Sequence, residues 1–269
     1  MSLDLPDSVN RIFHDVEVLS GKSVKLIEKR DLDTYASVKI ARKSMQDHLM
    51  FYKPEHHGFL NHLIAHECGH ILRIYGVAPE DRLIPFTNDD FKMKGLKDIE
   101  PEIQQLSKLI PFKQLVQISN MWYAGTIKQL TNFPSDIMIE KWIYDEYPDL
   151  RDYQSKYLKK QYDEAVQGLS AQVEKMTPRK ILKASNGLNY AFYQILGAHF
   201  QDNYYVRRYD KSAYVSVGDE LALSQRKSEN NYKGDVETVN RWAEVLKVSH
   251  WFSWRDFEDV PDNYLNTFS

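Results

Sequence analysis

Two histidines and a glutamate, spaced as H-E-x-x-H, are the residues of this 269-residue chain best suited to chemistry. His66 and His70 stand four residues apart, so on a helix their imidazoles project from one face, about one turn apart. Both rings can then reach one Zn²⁺ ion, while Glu67 lies on the neighbouring flank, within reach of a water on that ion. The spacing therefore predicts a metal site for hydrolysis, with Glu67 as the general base.

Two histidines leave a zinc site one protein ligand short, and the only cysteine does not supply it. Cys68 points about 200° around the helix from His66, so we expect it to be a small core residue. Asp136 and Glu140 are better candidates, because they share one helix face with Ile139. Carboxylates on an apolar face are costly to bury unless they are paired or bind a metal. We therefore expect the third ligand to come from this pair.

Other residues near the motif are weaker candidates. Asp89 and Asp90 are alternatives for the third ligand, although their context is typical of a turn or a helix cap. His62 lies one turn before the first motif histidine, so it either borders the site or is packed in the core. His56 and His57 precede the motif helix in a predicted loop, where we expect them to be solvated.

The elements that must position these residues can be read from local patterns. Three short runs, at 23–27, 35–40 and 48–52, are rich in β-branched or aromatic residues and predict strands. The pattern over 58–75 predicts a long helix that is apolar on several sides and that Gly76 ends. We expect this helix, which carries the motif, to lie inside the protein.

The rest of the chain is predicted to be mainly helical. A first helix starts behind Asp7 as a cap and ends at Gly21, and a long covering loop occupies 76–100. Further predicted elements are helices at 102–109, 112–130, 134–147 and 236–251, helices within 150–202, and a hairpin at 214–223. The fold class predicted is α+β up to about residue 150. A mainly helical region, 151–269, follows as a second domain or as a continuation of the first.

At the motif, the chain resembles the zincin metallopeptidases, and the resemblance covers the three strand-like runs and the motif helix. It implies a small mixed sheet with 48–52 as the edge strand, beside the metal, where an extended substrate pairs with it. Metzincins continue their motif with a glycine and a third histidine, whereas Arg73 and Gly76 stand at those positions here. Peptide deformylases use a cysteine ligand from an upstream segment, which this chain lacks. Both branches are therefore excluded.

A second resemblance concerns the candidate carboxylates. The pattern N-x-x-x-D-x-x-I-E, from Asn132 to Glu140, is similar to a segment that follows H-E-x-x-H in some bacterial metallopeptidase domains. That resemblance implies that Asp136 is the third ligand. In gluzincins the ligand is instead a glutamate on a later helix, so Glu140 competes, and the other carboxylate would orient a zinc-bound histidine.

Composition excludes several classes of protein. The chain has 35 Lys and Arg against 38 Asp and Glu, a net charge of −3, which argues against a nucleic-acid partner. No apolar run approaches the roughly 18 residues that a membrane helix needs, and a single cysteine gives no sign of an oxidising compartment. We therefore expect a cytoplasmic protein without a membrane partner. The sequence does not predict its oligomeric state.

The leading hypothesis is a zinc-dependent metallopeptidase that hydrolyses a peptide or protein substrate. The alternative is a zincin-fold module that binds the metal and serves regulation or protein interaction with little or no turnover. A third hypothesis is a helical protein in which the motif is fortuitous. Hydrolysis also needs a donor to the oxyanion, and among 17 tyrosines the sequence offers only Tyr123 as a guess.

Overall fold

A computed structural model describes residues 5–32, 34–42, 44–56 and 58–260, and it is an α+β structure in which helices predominate. The first helix, α1 (Asp7–Ser20), buries an apolar face made by Val9, Ile12 and Val16. Gly21 ends it with a φ of 69°, a left-handed conformation that glycine adopts at little cost, as predicted. Asp7 is not the cap, because it is the first helical residue and Pro6 stands before it.

The three predicted strands are present within one residue of their expected bounds. They are β1 (Val24–Glu28), β2 (Ala36–Lys39) and β3 (His48–Tyr52), and their order in the sheet is β1-β3-β2. β3 pairs parallel with β1 and antiparallel with β2, so the expectation that His48–Tyr52 is the edge strand is wrong. The edge strand next to the motif helix is β2. Pairing order depends on long-range contacts, which the pattern within each run does not contain.

The motif helix is α2 (Leu60–Tyr75), and it is buried along most of its length, as expected. It packs against α1, β2 and a later helix, α5. The helix ends at Gly76, as predicted, and this glycine has a right-handed φ of −73°. Glycine is still required there, because a Cβ at Gly76 would lie 2.8 Å from the Leu72 carbonyl oxygen.

The region predicted as a covering loop is ordered secondary structure instead. It contains β4 (Leu83–Phe86), α3 (Asp89–Asp98) and the start of α4 (Glu100–Leu106). β4 pairs antiparallel with β5 (Ser253–Asp256), which lies near the end of the chain. A strand whose partner is so distant in sequence gives no local hairpin signal, which is why the loop prediction failed.

The longest helix, α5 (Phe112–Glu146), has 35 residues and continues through Pro134. The expectation that a new helix begins at Pro134 is therefore wrong. A proline inside a helix costs one backbone hydrogen bond and crowds the preceding turn. Packing of α5 against α2, α8 and α10 holds the helix continuous across this point.

The C-terminal region is mainly helical, as predicted, although one of its predicted elements is wrong. Its helices are α6 (Arg151–Ala165), α7 (Ala171–Met176), α8 (Arg179–Phe200), α9 (Val215–Gln225) and α10 (Tyr232–Leu246). The predicted hairpin at 214–223 is wrong, because α9 occupies it and packs on α8 through Val217 and Leu221. The alternating start of that segment imitates a strand, and tertiary packing overrides the local preference.

The two large apolar clusters both draw side chains from either side of residue 150. Leu63 and Leu130 share one cluster with Trp242, and Ile64 shares the other with Tyr232 and Phe257. The division into 1–150 and 151–269 stays a prediction. None of the helices that the structure describes is long and apolar enough to cross a membrane.

Candidate metal centre

Helices α2 and α5 approach each other closely at Gly69. A Cβ at Gly69 would lie 2.6 Å from the Ile139 side chain, closer than real Cβ contacts. Because no side chain separates the helices here, the face of α5 that carries Asp136 and Glu140 lies directly against the motif histidines. The glycine inside the motif is therefore a packing requirement of the site, which sequence reasoning missed.

His66, His70 and Asp136 converge between the two helices. Asp136 Oδ1 lies 3.1 Å from His70 Nε2 and 3.5 Å from His66 Nε2. One ligand atom from each residue lies within 4.8 Å of the others, and the three residues are only 2–9% exposed. In a tetrahedral zinc site with bonds of about 2.1 Å, ligand atoms lie about 3.4 Å apart. The spacing of these atoms fits that geometry.

Hydrogen bonding does not account for the convergence. Asp136 Oδ1 is buried, and the described residues give it no hydrogen bond of normal geometry, although two imidazole nitrogens lie within 3.5 Å. A buried carboxylate oxygen left in this way costs free energy. A cation at the point that the three atoms face would remove the cost.

Glu140 lies behind His66 rather than beside Asp136. His66 Nδ1 lies 2.8 Å from Glu140 Oε1, His62 Nε2 lies 3.2 Å from the same oxygen, and Gln154 donates to Oε2 at 2.6 Å. His62, His66 and Glu140 also form a group compact enough for a metal. Their shortest contact, however, is already a hydrogen bond. In the neutral tautomer that donates its Nδ1 proton to Glu140, His66 presents an Nε2 lone pair towards Asp136, as in histidines oriented for a metal.

The pKa shifts at the centre show that Asp136 and Glu140 are ionised. Burial acts to lower the pKa of His66, but the two facing carboxylates outweigh it and hold that pKa well above its usual value. Burial lowers the pKa of His70. Burial acts to raise the pKa of Asp136 and of Glu140, yet the neighbouring imidazoles outweigh it and lower both. The two carboxylates therefore stay ionised and offer negative charge to a cation.

A cleft of about 320 Å³, the site cleft, opens onto this centre. Its walls are the start of β2 and helices α2, α5, α6 and α8, and Glu67, His66 and Asp136 line it. Glu67 is only 1% exposed. Its position beside two candidate ligands is the one that the sequence predicts for a general base.

The structure brings together the five predicted site residues and leaves the weaker candidates elsewhere. Asp89 and Asp90 are exposed in the first turn of α3, where the Asn88 side chain caps the helix by accepting from the Phe91 amide. The interpretation of this segment as a cap is thus confirmed. Neither aspartate lines the site cleft.

Four further residues were singled out from the sequence. Tyr123 donates its hydroxyl proton to the Trp251 carbonyl at 2.6 Å and does not line the site cleft. Cys68 is fully buried among apolar side chains, as predicted. His57 and the side chain of His56 lie outside the described residues.

Helix α6 contributes residues that sequence reasoning did not find. Gln154 holds Glu140, and Tyr157 lines the site cleft with its ring 5.1 Å from that of His62. Gln161 donates to the Tyr157 hydroxyl at 2.5 Å, and the described residues show no acceptor for the hydroxyl's own proton. The one signal available was spacing, since 154, 157 and 161 fall on one helix face.

Comparison with known proteins gave no match, since no family model, no curated protein and no solved structure matches this chain significantly. What the site does must therefore be inferred from its own residues.

Proposed function

We propose that this protein is a zinc-dependent metallopeptidase of the zincin type. The observation that carries the proposal is the convergence of His66 Nε2, His70 Nε2 and Asp136 Oδ1, at distances suited to zinc, beside Glu67 in a cleft. Two imidazoles and one carboxylate are a donor set that suits Zn²⁺. Three protein ligands leave a fourth position for water or substrate, as catalytic zinc sites require.

The residues of the site cleft would have different roles in hydrolysis. Zn²⁺ bound there would supply Lewis-acid chemistry, polarising an amide carbonyl and lowering the pKa of water. Glu67 accepts a proton from the water that attacks the carbonyl carbon and returns it to the leaving amine. Glu140 keeps the Nδ1 proton of His66 in place, which fixes the ring's orientation.

Tyr157 is the best donor to the developing oxyanion. Its hydroxyl accepts from Gln161, so its own proton can point into the cleft. Burial is the main cause that raises its pKa well above the usual value, so the group stays protonated and able to donate. A hydrogen bond placed where charge develops stabilises the transition state.

The sheet supports a peptide substrate. Ala36, the first residue of edge strand β2, lines the site cleft next to the motif helix, as does Thr34, two residues before it. An extended peptide can add to such an edge through main-chain hydrogen bonds. In this proposal β2 takes the role that the sequence assigned to 48–52.

Glu67→Gln, together with metal analysis, tests the proposal. We expect wild-type protein to bind one zinc ion and to hydrolyse peptides, and the variant to keep zinc while losing activity by at least about 100-fold. Glu80→Gln, an exposed glutamate on the helical turn before β4, is the matched control and should keep full activity. Activity retained by Glu67→Gln would overturn the assigned base. Zinc binding without cleavage of any peptide in a broad library would support the alternative of a regulatory or protein-interaction module.

A further inference from the structure

A hydrogen bond crosses the site cleft from wall to wall. Tyr35, directly before β2, donates its hydroxyl proton to Glu164 Oε1 on α6 at 2.6 Å. Both residues line the cleft. We call this contact the Tyr35–Glu164 bridge. A chain lying along β2 towards this end of the cleft would meet it.

Contacts on several sides hold the bridge in place. The Tyr35 ring packs edge-on against Phe59 at 5.7 Å and against Tyr157 at 5.8 Å between centroids. Lys160 Nζ lies 4.6 Å from the Tyr35 ring centroid, within cation–π range. The bridge is therefore held by α6 and by Phe59, the residue before α2.

The bridge lies close to the metal centre. Tyr157 contacts Tyr35 on one side and His62 on the other, and the His62 ring contacts that of His66. Each of these steps is 6.1 Å or less between ring centroids. An extended peptide advances about 3.4 Å per residue, so at most about five residues fit between His66 and the bridge.

The polar lining of the site cleft suits a peptide backbone. Gln129, Asn132, Gln161 and Asn189 place four carboxamide groups in the cleft. A carboxamide both donates and accepts hydrogen bonds, and so matches the N–H and C=O groups of a peptide. A cleft of about 320 Å³ is near the lower limit for ligand pockets, which favours a short occupant.

We propose that the Tyr35–Glu164 bridge restricts the site to short peptides by closing the cleft to a chain that continues past it. This inference rests on the proposed function, since it names the substrate class of the same site. The substrates are peptides of a few residues rather than segments inside a long polypeptide.

Binding to the Glu67→Gln protein tests the inference without turnover. Two unstructured peptides with the same central sequence, of about four and about twelve residues, are titrated by calorimetry. We expect the long peptide to bind at least about tenfold more weakly than the short one. Adding Tyr35→Phe removes the bridge but keeps the ring. It should strengthen binding of the long peptide about tenfold and leave the short one unchanged.

Tyr204→Phe in the same background is the matched control. Tyr204 donates to Asp163 at 2.8 Å, which is the same kind of bond to the residue next to Glu164, and neither partner lines the site cleft. This variant should leave both affinities unchanged, and thermal unfolding and zinc content should show that all variants are folded. Equal binding of the two peptides, no binding of either, or no effect of Tyr35→Phe would overturn the inference. Length-selective binding in a wild-type protein that cleaves nothing would contradict the proposed hydrolysis alone.

Discussion

Asp235 and Asp136 are buried carboxylates that both face helix α2, and of the two only Asp235 lies against a guanidinium. Asp235, on α10, accepts from the Arg73 guanidinium at 2.5 and 2.8 Å and from the Ser135 hydroxyl at 2.9 Å. Asp136, on α5, faces two imidazoles, yet its Oδ1 has no hydrogen bond of normal geometry among the described residues. The two residues are 3% and 9% exposed. The two carboxylates are therefore buried alike and differ in their partners.

The comparison teaches that the neighbouring side chain decides which role a buried carboxylate has. Arg73 carries a permanent charge and a planar fork of donors, so the Asp235 cluster (Asp235, Arg73 and Ser135) is complete by itself. Imidazoles can be neutral and offer lone pairs, so in the proposed function a metal completes the Asp136 cluster (Asp136, His66 and His70). One helix presents both kinds of partner within a single turn, at His70 and Arg73.

The largest effect is expected from Asp235→Ala, which leaves the Arg73 guanidinium buried without its carboxylate. The free energy of unfolding should fall by about 3–5 kcal/mol, measured in urea. The loss should be the same with zinc and after chelation, because this cluster needs no metal. Glu237→Ala, which breaks the partly exposed pair with Arg241, is the control and should cost less than about 1 kcal/mol. A loss at Asp235 that depends on chelation would instead make Asp235 part of the metal centre.

The next effect in size is on zinc binding, and it distinguishes the roles of Asp136 and Glu140, the two carboxylates of α5. At free zinc one hundred times its Kd, zinc should stabilise the wild-type protein by about 2.7 kcal/mol. Asp136→Ala should abolish this stabilisation, because a ligand is lost. Glu140→Gln should weaken zinc binding about 10- to 100-fold without abolishing it, because only the orientation of His66 suffers. Competition with a chelating dye measures both variants, and the reverse ranking would exchange the two assigned roles.

Local spacing predicted the residues of the Asp136 cluster, but not how they meet. The four-residue steps place His66 with His70 and Asp136 with Glu140 because helical periodicity is a local property. Which carboxylate faces the imidazole Nε2 atoms depends on how α5 lies on α2, and the contact of Gly69 with Ile139 sets that packing. No spacing within either segment contains this information.

In the fold, too, the features set by local sequence were predicted, and those set by long-range contacts were not. β1, β2 and β3 were predicted nearly to the residue, since a run of strand-forming residues is local. The central place of β3 and the pairing of β4 with β5 depend on distant segments, and both were missed. The Asp235 cluster was missed for the same reason, since Arg73 and Asp235 are 162 residues apart.

The smallest effect concerns His48, a buried imidazole held neutral by neutral partners. Its Nδ1 accepts from the Ala41 amide at 3.0 Å, and its Nε2 lies 2.9 Å from Ser20 Oγ. Burial, aided by the charge of Lys22, lowers its pKa from 6.5 to about 4. Because the folded pKa lies below the unfolded one, protonation favours unfolding, and the stability present above pH 6.5 is lost as the pH falls towards 4.

The loss due to His48 should reach about 2 kcal/mol by pH 5. To measure this loss, the free energies of unfolding of wild-type protein and of His48→Asn are determined in urea at pH 7 and at pH 5. His48→Asn is the suitable variant because asparagine keeps an acceptor for the Ala41 amide but does not titrate. Working in chelator removes the acid release of zinc from the Asp136 cluster, which would otherwise add to the slope. If the two proteins lost stability equally on acidification, His48 would not be a source of the acid sensitivity.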